Sequence, residues 1–280
     1  MGLVFVPTPI GNLRDLTLRA LDVLRAATLV VAEDTRTARK LLSAHGIAAK
    51  ELWSYREQSA ARVTGAILAR AAAETIAVLC DAGTPAISDP GRELIVAARQ
   101  AGIAVEVLPG PAAFVCAAVL SGFELTGFSF EGFVPRRSQE RRAAFAAALE
   151  GRRTSVWYES PHRILASLDE LAGLRRDAPV FLARELTKLH EQQLFGTAAT
   201  VRAALSEPVR GEITLVLGPL PPPPRTAPGA DSLDLEIDAA LDAGLAPAVA
   251  AKAIAGRTGS DRNSVYKRLI QRRRERTERT

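Results

Sequence analysis

Residues 81–91 read Asp81-Ala82-Gly83-Thr84-Pro85-Ala86-Ile87-Ser88-Asp89-Pro90-Gly91, set between an apolar run, Ile76 to Cys80, and an amphipathic one, Arg92 to Ala101. Strand-to-helix connections in α/β units run about 2 to 6 residues, so a longer loop rich in Gly, Pro, Asp and Ser is more than a connector. Gly83 and Gly91 permit positive φ and close approach of backbone to a ligand, while Asp81 and Asp89 supply acceptors. A strand that feeds such a loop and then a helix places it where open α/β sheets take their ligands, at the carboxyl end of a strand.

The same grammar extends in both directions. Short apolar runs at Leu3 to Pro7, Thr28 to Ala32, Ala104 to Leu108, Phe128 to Phe133, Thr154 to Tyr158, Val180 to Ala183 and Ile213 to Leu217 read as strands. Helical periodicity lies between them over Leu16 to Ala26, Thr37 to His45, Ala60 to Ala73, Arg141 to Leu149 and Ile164 to Ala172. The alternation predicts α/β layers on largely parallel sheets. With Ile76 to Cys80 the strands are numerous for one sheet, and the loop-rich passage Ser121 to Gly127 divides them, which predicts two α/β domains over 1–120 and 121–218.

Pro219, Pro221 to Pro224 and the residues through Ala230 predict an extended or disordered linker over 219–232, because clustered prolines enter neither helices nor central strands. Residues 233–280 then read as a helical module of three short helices. Leu235, Ile237, Leu241 and Leu245 mark the first; Pro247 suits the first turn of the second; Gly259 breaks the chain; Asp261 or Ser260 caps a last helix carrying Val265, Tyr266, Leu269 and Ile270. The outline is that of a helix-turn-helix whose final helix carries Arg262, Lys267 and Arg268 toward a nucleic acid; a plain packing module is the alternative.

A chain of 280 residues, 48% hydrophobic and 24% charged, is long enough for two compact domains and an appendage. No apolar run approaches the ~20 residues of a membrane span. The N-terminus enters Leu3-Val4-Phe5-Val6 without a basic region or a cleavage site, so a cytoplasmic protein is expected. Cys80 and Cys116 have no partner at metal-ligand spacing, and buried thiols rather than a disulfide or a metal site are expected. Asp261 to Thr280 hold eight Lys/Arg against three Asp/Glu, an excess equal to the formal +5 of the whole chain. A basic tail on a neutral body suits an anionic partner such as RNA, and equally a solvated helix end.

Other strand ends are also polar. Pro7-Thr8-Pro9-Ile10-Gly11-Asn12 is a rigid loop. In Glu33-Asp34-Thr35-Arg36, Asp34 or Thr35 suits a helix cap, and Arg36 suits either an anionic ligand or an ion pair with Glu33 or Asp34. Pro109-Gly110-Pro111 leads into Ala112 and Ala113, small residues that leave room for a flat group above a helix start. In the second half, Tyr158-Glu159-Ser160-Pro161-His162-Arg163 and Ala183-Arg184-Glu185-Leu186-Thr187-Lys188 repeat the pattern; His162 reads as a structural histidine or a base, and Glu185 with Lys188 as a surface pair or as functional groups. Neither a Gly-x-Gly-x-x-Gly after the first strand nor a Walker-type phosphate loop is present, which disfavours nicotinamide and nucleoside-triphosphate chemistry.

In this order and spacing, with Ser54-Tyr55, Glu131-Gly132-Phe133-Val134-Pro135-Arg136 and Gly211-Glu212-Ile213, the motifs resemble the ribosomal RNA small subunit methyltransferase I family of the tetrapyrrole methylase superfamily, from about Leu3 to Gly218. The resemblance implies two α/β domains of the tetrapyrrole methylase type with S-adenosylmethionine in the cleft between them, and a homodimer. It also implies 2′-O-methylation of a cytidine in the decoding region of 16S rRNA in the 30S ribosomal subunit. Carried onto this chain, it implies cofactor contacts at Pro9, Asp81, Gly83, Thr84, Ala112, Ala113, Tyr158 and the Gly211 to Thr214 region; Ala112 stands where related sequences often carry Ser.

A base that assists a ribose hydroxyl has candidates in Glu33, Asp34, Glu159, His162, Glu185 and Lys188, of which Glu185 with Lys188 is favoured; positioning without a base is the alternative. Arg36, Arg136, Arg137 and Arg163 join Arg262, Lys267 and Arg268 as candidate RNA contacts, since Arg engages phosphates bidentately. Rival readings are a precorrin-type tetrapyrrole methyltransferase, which leaves the basic tail without a role, a diphthine synthase, and a nucleic-acid-binding regulator without catalysis, which leaves the 81–91 loop unexplained.

Overall fold

In a computed structural model of the chain, which describes residues 1–48, 50–220, 230–258 and 260–277, the first sheet comprises β1 (Gly2–Phe5), β2 (Leu29–Ala32), β3 (Glu51–Ser54), β4 (Thr75–Leu79) and β5 (Val105–Val107). Their order is β3-β2-β4-β1-β5 and every pairing is parallel. β1 and β2 are buried at every position because helices cover both faces, the usual condition of parallel strands. Those helices are α1 (Leu18–Ala26), α2 (Thr35–Ala44), α3 (Ala60–Ala71) and α4 (Arg92–Gln100). One face of the sheet packs Val30 and Ala77 with Leu24 and Leu42; the other packs Phe5 and Leu29 with Ile67 and Leu94.

The next helix, α5 (Ala113–Ser121), follows the first sheet in the chain but lies against the second. It is apolar around its whole circumference, with Ala117 and Ala118 buried and Val115, Val119 and Leu120 exposed. Ala117 and Ala118 meet Val156, Phe181, Ala183 and Val216 of that sheet.

The second sheet contains β6 (Ser129–Phe133), β7 (Ser155–Glu159), β8 (Pro179–Arg184), β9 (Gln192–Thr197) and β10 (Ile213–Leu217), with α6 (Ser138–Glu150), α7 (Ile164–Leu174) and α8 (Ala198–Ala204) between them. Its order is β6-β7-β10-β8-β9, and β6 with β7 is its parallel pair; the other three pairings are antiparallel. The expectation of largely parallel sheets is therefore corrected for this half. Only Glu185–Glu191 joins β8 to β9, too short for the dozen or more residues that a parallel crossover needs.

Contacts divide the chain into two compact units, Met1–Leu220 and Pro221–Thr280, and both sheets, with the expected 1–120 and 121–218 halves, belong to the first. Most of the predicted linker, at 221–229, and the predicted break at Gly259 lie outside the described residues. The second unit shows three described helices, α9 (Ala230–Asp242), α10 (Pro247–Thr258) and α11 (Arg262–Thr277), closed on Ile237, Ala251, Ile254, Val265 and Leu269. Asp261 caps α11 by accepting from the Ser264 amide at 2.8 Å. No helix among the described residues is long and apolar enough to cross a membrane.

The charges of α11 are arranged differently from the sequence expectation. Arg268 donates to Asp234 at 2.7 Å, Arg272 to Asp238 at 3.1 Å and Arg276 to Asp242 at 2.6 Å, a constant offset of 34 residues. A constant offset means that α9 and α11 run parallel with their ladders of every-fourth-residue charges in register. Arg268 is thus engaged within its own unit, while Arg262 and Lys267 are exposed. Residues 231–280 hold ten Lys/Arg and eight Asp/Glu, so the excess of the tail is largely answered by α9. Asp238→Arg will set like charges against Arg272 and Arg276 and speed hydrogen exchange of the α11 amides; Arg272→Asp added to it will restore protection. Equal exchange in the single and double variants would show the ladder to be idle.

Candidate active site

The loops leaving β1, β4 and β5 are tied to one another before any ligand is considered. Thr8 and Gly83 exchange backbone hydrogen bonds of 2.8 and 3.0 Å, the Thr8 hydroxyl donates to the Cys80 carbonyl at 3.3 Å, and the Thr84 hydroxyl donates to the Pro111 carbonyl at 2.9 Å. Gly83 holds φ +83°, and a Cβ on Gly110 would stand 2.5 Å from the Pro7 Cβ, so glycine is required at both. The loop after β1 also reaches the second sheet. The Asn12 amide donates to the Thr187 hydroxyl at 2.9 Å, and a Cβ on Gly11 would meet the Lys188 Cγ at 2.5 Å.

These loops enclose a cavity of about 360 Å³, within the roughly 300–1,000 Å³ of small-molecule sites. Asp81 to Thr84 and Ile87 to Asp89 form one wall, the start of α5 (Ala112, Ala113, Phe114) another, and Phe133, Tyr158 to Pro161 and Gly211 to Thr214 the wall from the second sheet. Phe114 stacks on Phe130 with ring centroids 4.3 Å apart, Phe130 meets the Tyr158 ring at 5.0 Å, and the Phe114 amide points to the Tyr158 hydroxyl at 3.4 Å. Burial pushes the Tyr158 hydroxyl up to about 12, so it keeps its proton at neutral pH. No side chain caps α5 at Ala112, which leaves first-turn amides at the cavity wall.

Of the expected cofactor positions, Asp81, Gly83, Thr84, Ala112, Ala113, Tyr158 and Gly211 line this cavity; Pro9 is buried beside it, and Ile10 provides the wall there. Glu185 and Lys188 do not line it. They form a brace beneath its rim: Lys188 Nζ donates to Glu185 Oε1 at 2.8 Å and to Glu212 Oε2 at 2.7 Å, and Glu185 Oε1 also accepts from the Glu212 amide at 2.9 Å. The hydrogen bond from Lys188 lowers the pKa of Glu185, and although partial burial opposes it, pairing with Glu185 and Glu212 raises that of Lys188. Both shifts weaken these groups as proton acceptors at neutral pH.

The arginines divide similarly. Arg36 is exposed and pairs with Asp34, which caps α2 by accepting from the Arg36 amide at 2.8 Å. Arg136 and Arg137 are exposed after β6, Arg137 beside Glu140 at 3.0 Å. Arg163 turns inward to the buried Glu159 at 2.6 Å and donates to the Val134 carbonyl at 3.2 Å. Glu159 also accepts from the Ser167 hydroxyl and the Ser160 amide, both at 2.6 Å. His162 is exposed. Cys80 and Cys116 are free thiols, and burial raises the pKa of both.

Sequence reading did not single out the grouping of Glu33, Asp81 and Asp89 along one side of the cavity. Burial and the Asp81 charge raise the pKa of Glu33; burial foremost raises that of Asp81; burial and the Glu33 charge push Asp89 up to about 6. No Lys or Arg lines the cavity among the described residues, and no group of carboxylates there has the arrangement of a metal site.

Residues 2–202 match the tetrapyrrole (corrin/porphyrin) methylases. A ribosomal RNA small subunit methyltransferase I of Synechocystis sp. is 37% identical over 270 residues, 95% of this chain and 96% of the relative. The chain belongs to the ribosomal RNA small subunit methyltransferase I family. A second relative of that name, from Neisseria meningitidis serogroup B, is 43% identical over 221 residues, 78% of this chain and 76% of its own length. Among solved structures, a uroporphyrin-III C-methyltransferase from Thermus thermophilus complexed with S-adenosyl homocysteine superposes with a TM-score of 0.55 at 22% identity, covering 78% of this chain and 97% of that one, and shares the fold.

In this methyltransferase Glu159 and Arg163 are framework. Glu159→Ala leaves the Arg163 charge without its partner and will destabilise the protein by about 3 kcal/mol, read as a lower denaturant midpoint; an unchanged midpoint would show the pair to be dispensable.

Proposed function

We propose that the chain transfers the methyl group of S-adenosylmethionine to the 2′-hydroxyl of a cytidine in the decoding region of 16S rRNA. The observation that carries this reading is the cavity itself, whose wall is built by the positions that the family motifs reserve for the cofactor. When bound, the cofactor supplies a methyl group on a cationic sulfonium. The residues present fit such a group: the wall offers Glu33, Asp81 and Asp89 and no lysine or arginine, so a cation there meets a net negative wall. Ala112 and Ala113 leave flat space over the first-turn amides of α5, and Tyr158 and Phe133 provide an apolar side.

On the RNA side, support comes from exposed Arg36, Arg136 and Arg137 at strand ends and from exposed Arg262 and Lys267 on α11. Phosphate contacts of this kind position a substrate and weaken with salt. Arg163 and Arg268, held by Glu159 and Asp234, support the framework instead. The homodimer belongs to the same proposal and is supported by Val119 and Leu120 on α5, 64% and 44% exposed.

The test is incubation with labelled S-adenosylmethionine and 30S subunits from cells that lack this methylation, followed by primer extension that stops at ribose methylation. Label at one cytidine is the expected result. Binding of S-adenosyl homocysteine without transfer to 30S subunits or 16S rRNA would remove the substrate and leave the cofactor. Gly211→Ala will weaken binding of S-adenosyl homocysteine in calorimetry, because Gly211 holds φ +89° and an added Cβ meets the Glu185 Cγ at 2.5 Å; undiminished affinity would place the ligand elsewhere.

A further inference from the structure

If the chain methylates a ribose hydroxyl as proposed, the base of that nucleotide, only a few bonds from the accepting oxygen, must lie against the donor cavity. A second, outer cavity of about 770 Å³ borders the first, and the two share the wall at Ser88 and Asp89. The rest of its wall comes from the loop after β3, the first turns of α3 and the start of α4. Ala60, Ala61, Ala86 and Ala97 keep the space open, where larger side chains would fill it.

Tyr55 is the informative residue of this wall. Its ring packs in the core of the first sheet with Val31, Ile67 and Leu94, and the residue is 3% exposed. The hydroxyl at its tip is buried and finds no hydrogen-bond partner among the described residues, although Tyr55 lines the outer cavity. The Thr64 hydroxyl and the Leu94 amide stand near it without reaching bonding geometry, and Thr64 spends its own proton on the Ala60 carbonyl at 2.7 Å. Burial raises the Tyr55 pKa, which the nearby Thr64 only partly offsets, so the hydroxyl keeps its proton and is a donor. An unpaired buried hydroxyl is a standing cost to the fold, and phenylalanine would fill the same core position without it. A partner that enters the cavity accounts for the hydroxyl.

The cavity also holds a carboxylate suited to such a partner. Glu57 is exposed there and its side chain has no basic partner among the described residues. Arg56, next to it in the chain, turns instead to the Glu33 carbonyl at 3.1 Å and to Asp34 at 3.7 Å, while Arg92 stands beside Glu93 at 3.8 Å. A buried neutral donor and a free carboxylate in a slot lined by small apolar residues match a flat heterocycle that offers both a carbonyl oxygen and an amino group. Bases read outside a duplex present those groups on their Watson–Crick edge.

We infer that the outer cavity is the specificity pocket for the acceptor base, with the Tyr55 hydroxyl donating to the ring carbonyl and the Glu57 carboxylate accepting from the exocyclic amine of cytosine. Uracil carries a carbonyl in place of that amine, so against Glu57 it sets acceptor against acceptor. Discrimination between the two pyrimidines then comes from a repulsive pairing as well as from a lost hydrogen bond. The inference rests on the ribose-methylation reading given above.

The test uses the full chain with 30S subunits that lack the methylation, and with subunits carrying uridine at the methylated position. The unaltered protein is expected to act on the cytidine subunits with the higher kcat/KM. Tyr55→Phe keeps the ring and is expected to lower kcat/KM about 10-fold, chiefly through KM. Its denaturant midpoint should be no lower than before, because an unpaired hydroxyl has been removed, and its calorimetric affinity for S-adenosyl homocysteine should be unchanged. Glu57→Gln, whose amide can donate as well as accept, is expected to lose rate on cytidine subunits and gain it on uridine subunits. Unchanged kcat/KM in Tyr55→Phe, or an unchanged cytidine preference in Glu57→Gln, overturns the assignment. So does a fall in S-adenosyl homocysteine affinity that matches the fall in rate, since the effect would then belong to the donor cavity. Failure of the unaltered protein to methylate either kind of subunit while it binds S-adenosyl homocysteine would instead overturn the proposed substrate, and this pocket with it.

Discussion

The helix Ala113–Ser121 is apolar on every side, and the surface that buries its Ala117 and Ala118 belongs to the other sheet. Its small buried residues let it pack closely on that sheet, while Val115, Val119 and Leu120 face outward. Chain order starts it at the carboxyl ends of the first sheet, and burial draws it onto β7, β8 and β10 of the second. The strand-end loops of the two sheets are thereby brought face to face. The cavity lies where those loops meet, and the small residues Ala112 and Ala113 at the helix start keep it from being filled. Gly11 allows the loop after β1 to pass against Lys188, where any larger residue would push the halves apart.

Most of this was legible in the sequence because it depends on strand ends. Buried runs such as Leu29–Ala32 and Ile213–Leu217 are apolar at every position, and the polar motifs after them are written contiguously. β3 and β9 were not legible: Glu51–Ser54 and Gln192–Thr197 are half-exposed edge strands in which polar side chains and Gly196 erase the apolar run. Missing β9 is also what made the second sheet look parallel, since an eight-strand reading leaves the short turn at 185–191 without a strand to lead into.

Charged residues were the least legible, because a sequence shows their type and not their partners. Glu185 and Lys188 read as reactive groups at a strand end, and the fold spends them on holding Glu212 and the turn at Gly211 in place. Arg163 and Arg268 read as phosphate contacts; a buried Glu159 and the Asp234 rung of a helix ladder hold them instead. Asp89 read, with Asp81, as an acceptor of its loop; that it stands in one cavity wall with Glu33 from another strand end is visible only in three dimensions.

Apart from Arg152, positive φ at non-glycine residues falls on two segments, Ala86 with Ser88 and Glu185 with Thr187, which border the cavity from opposite sheets. One segment carries a carboxylate without a basic partner, the other a carboxylate closed into an ion cluster. The difference suits a site that handles charge. A fixed brace keeps the wall in position, because its ion pairs lose geometry if it moves. Glu33, Asp81 and Asp89 on the opposite side stand close enough to raise one another's pKa and favour a cation in the cavity, and that attraction weakens once the cation is neutralised. On the proposed reaction the donor enters as a sulfonium and leaves as a neutral thioether, so the same wall that holds the substrate form releases the product form more readily.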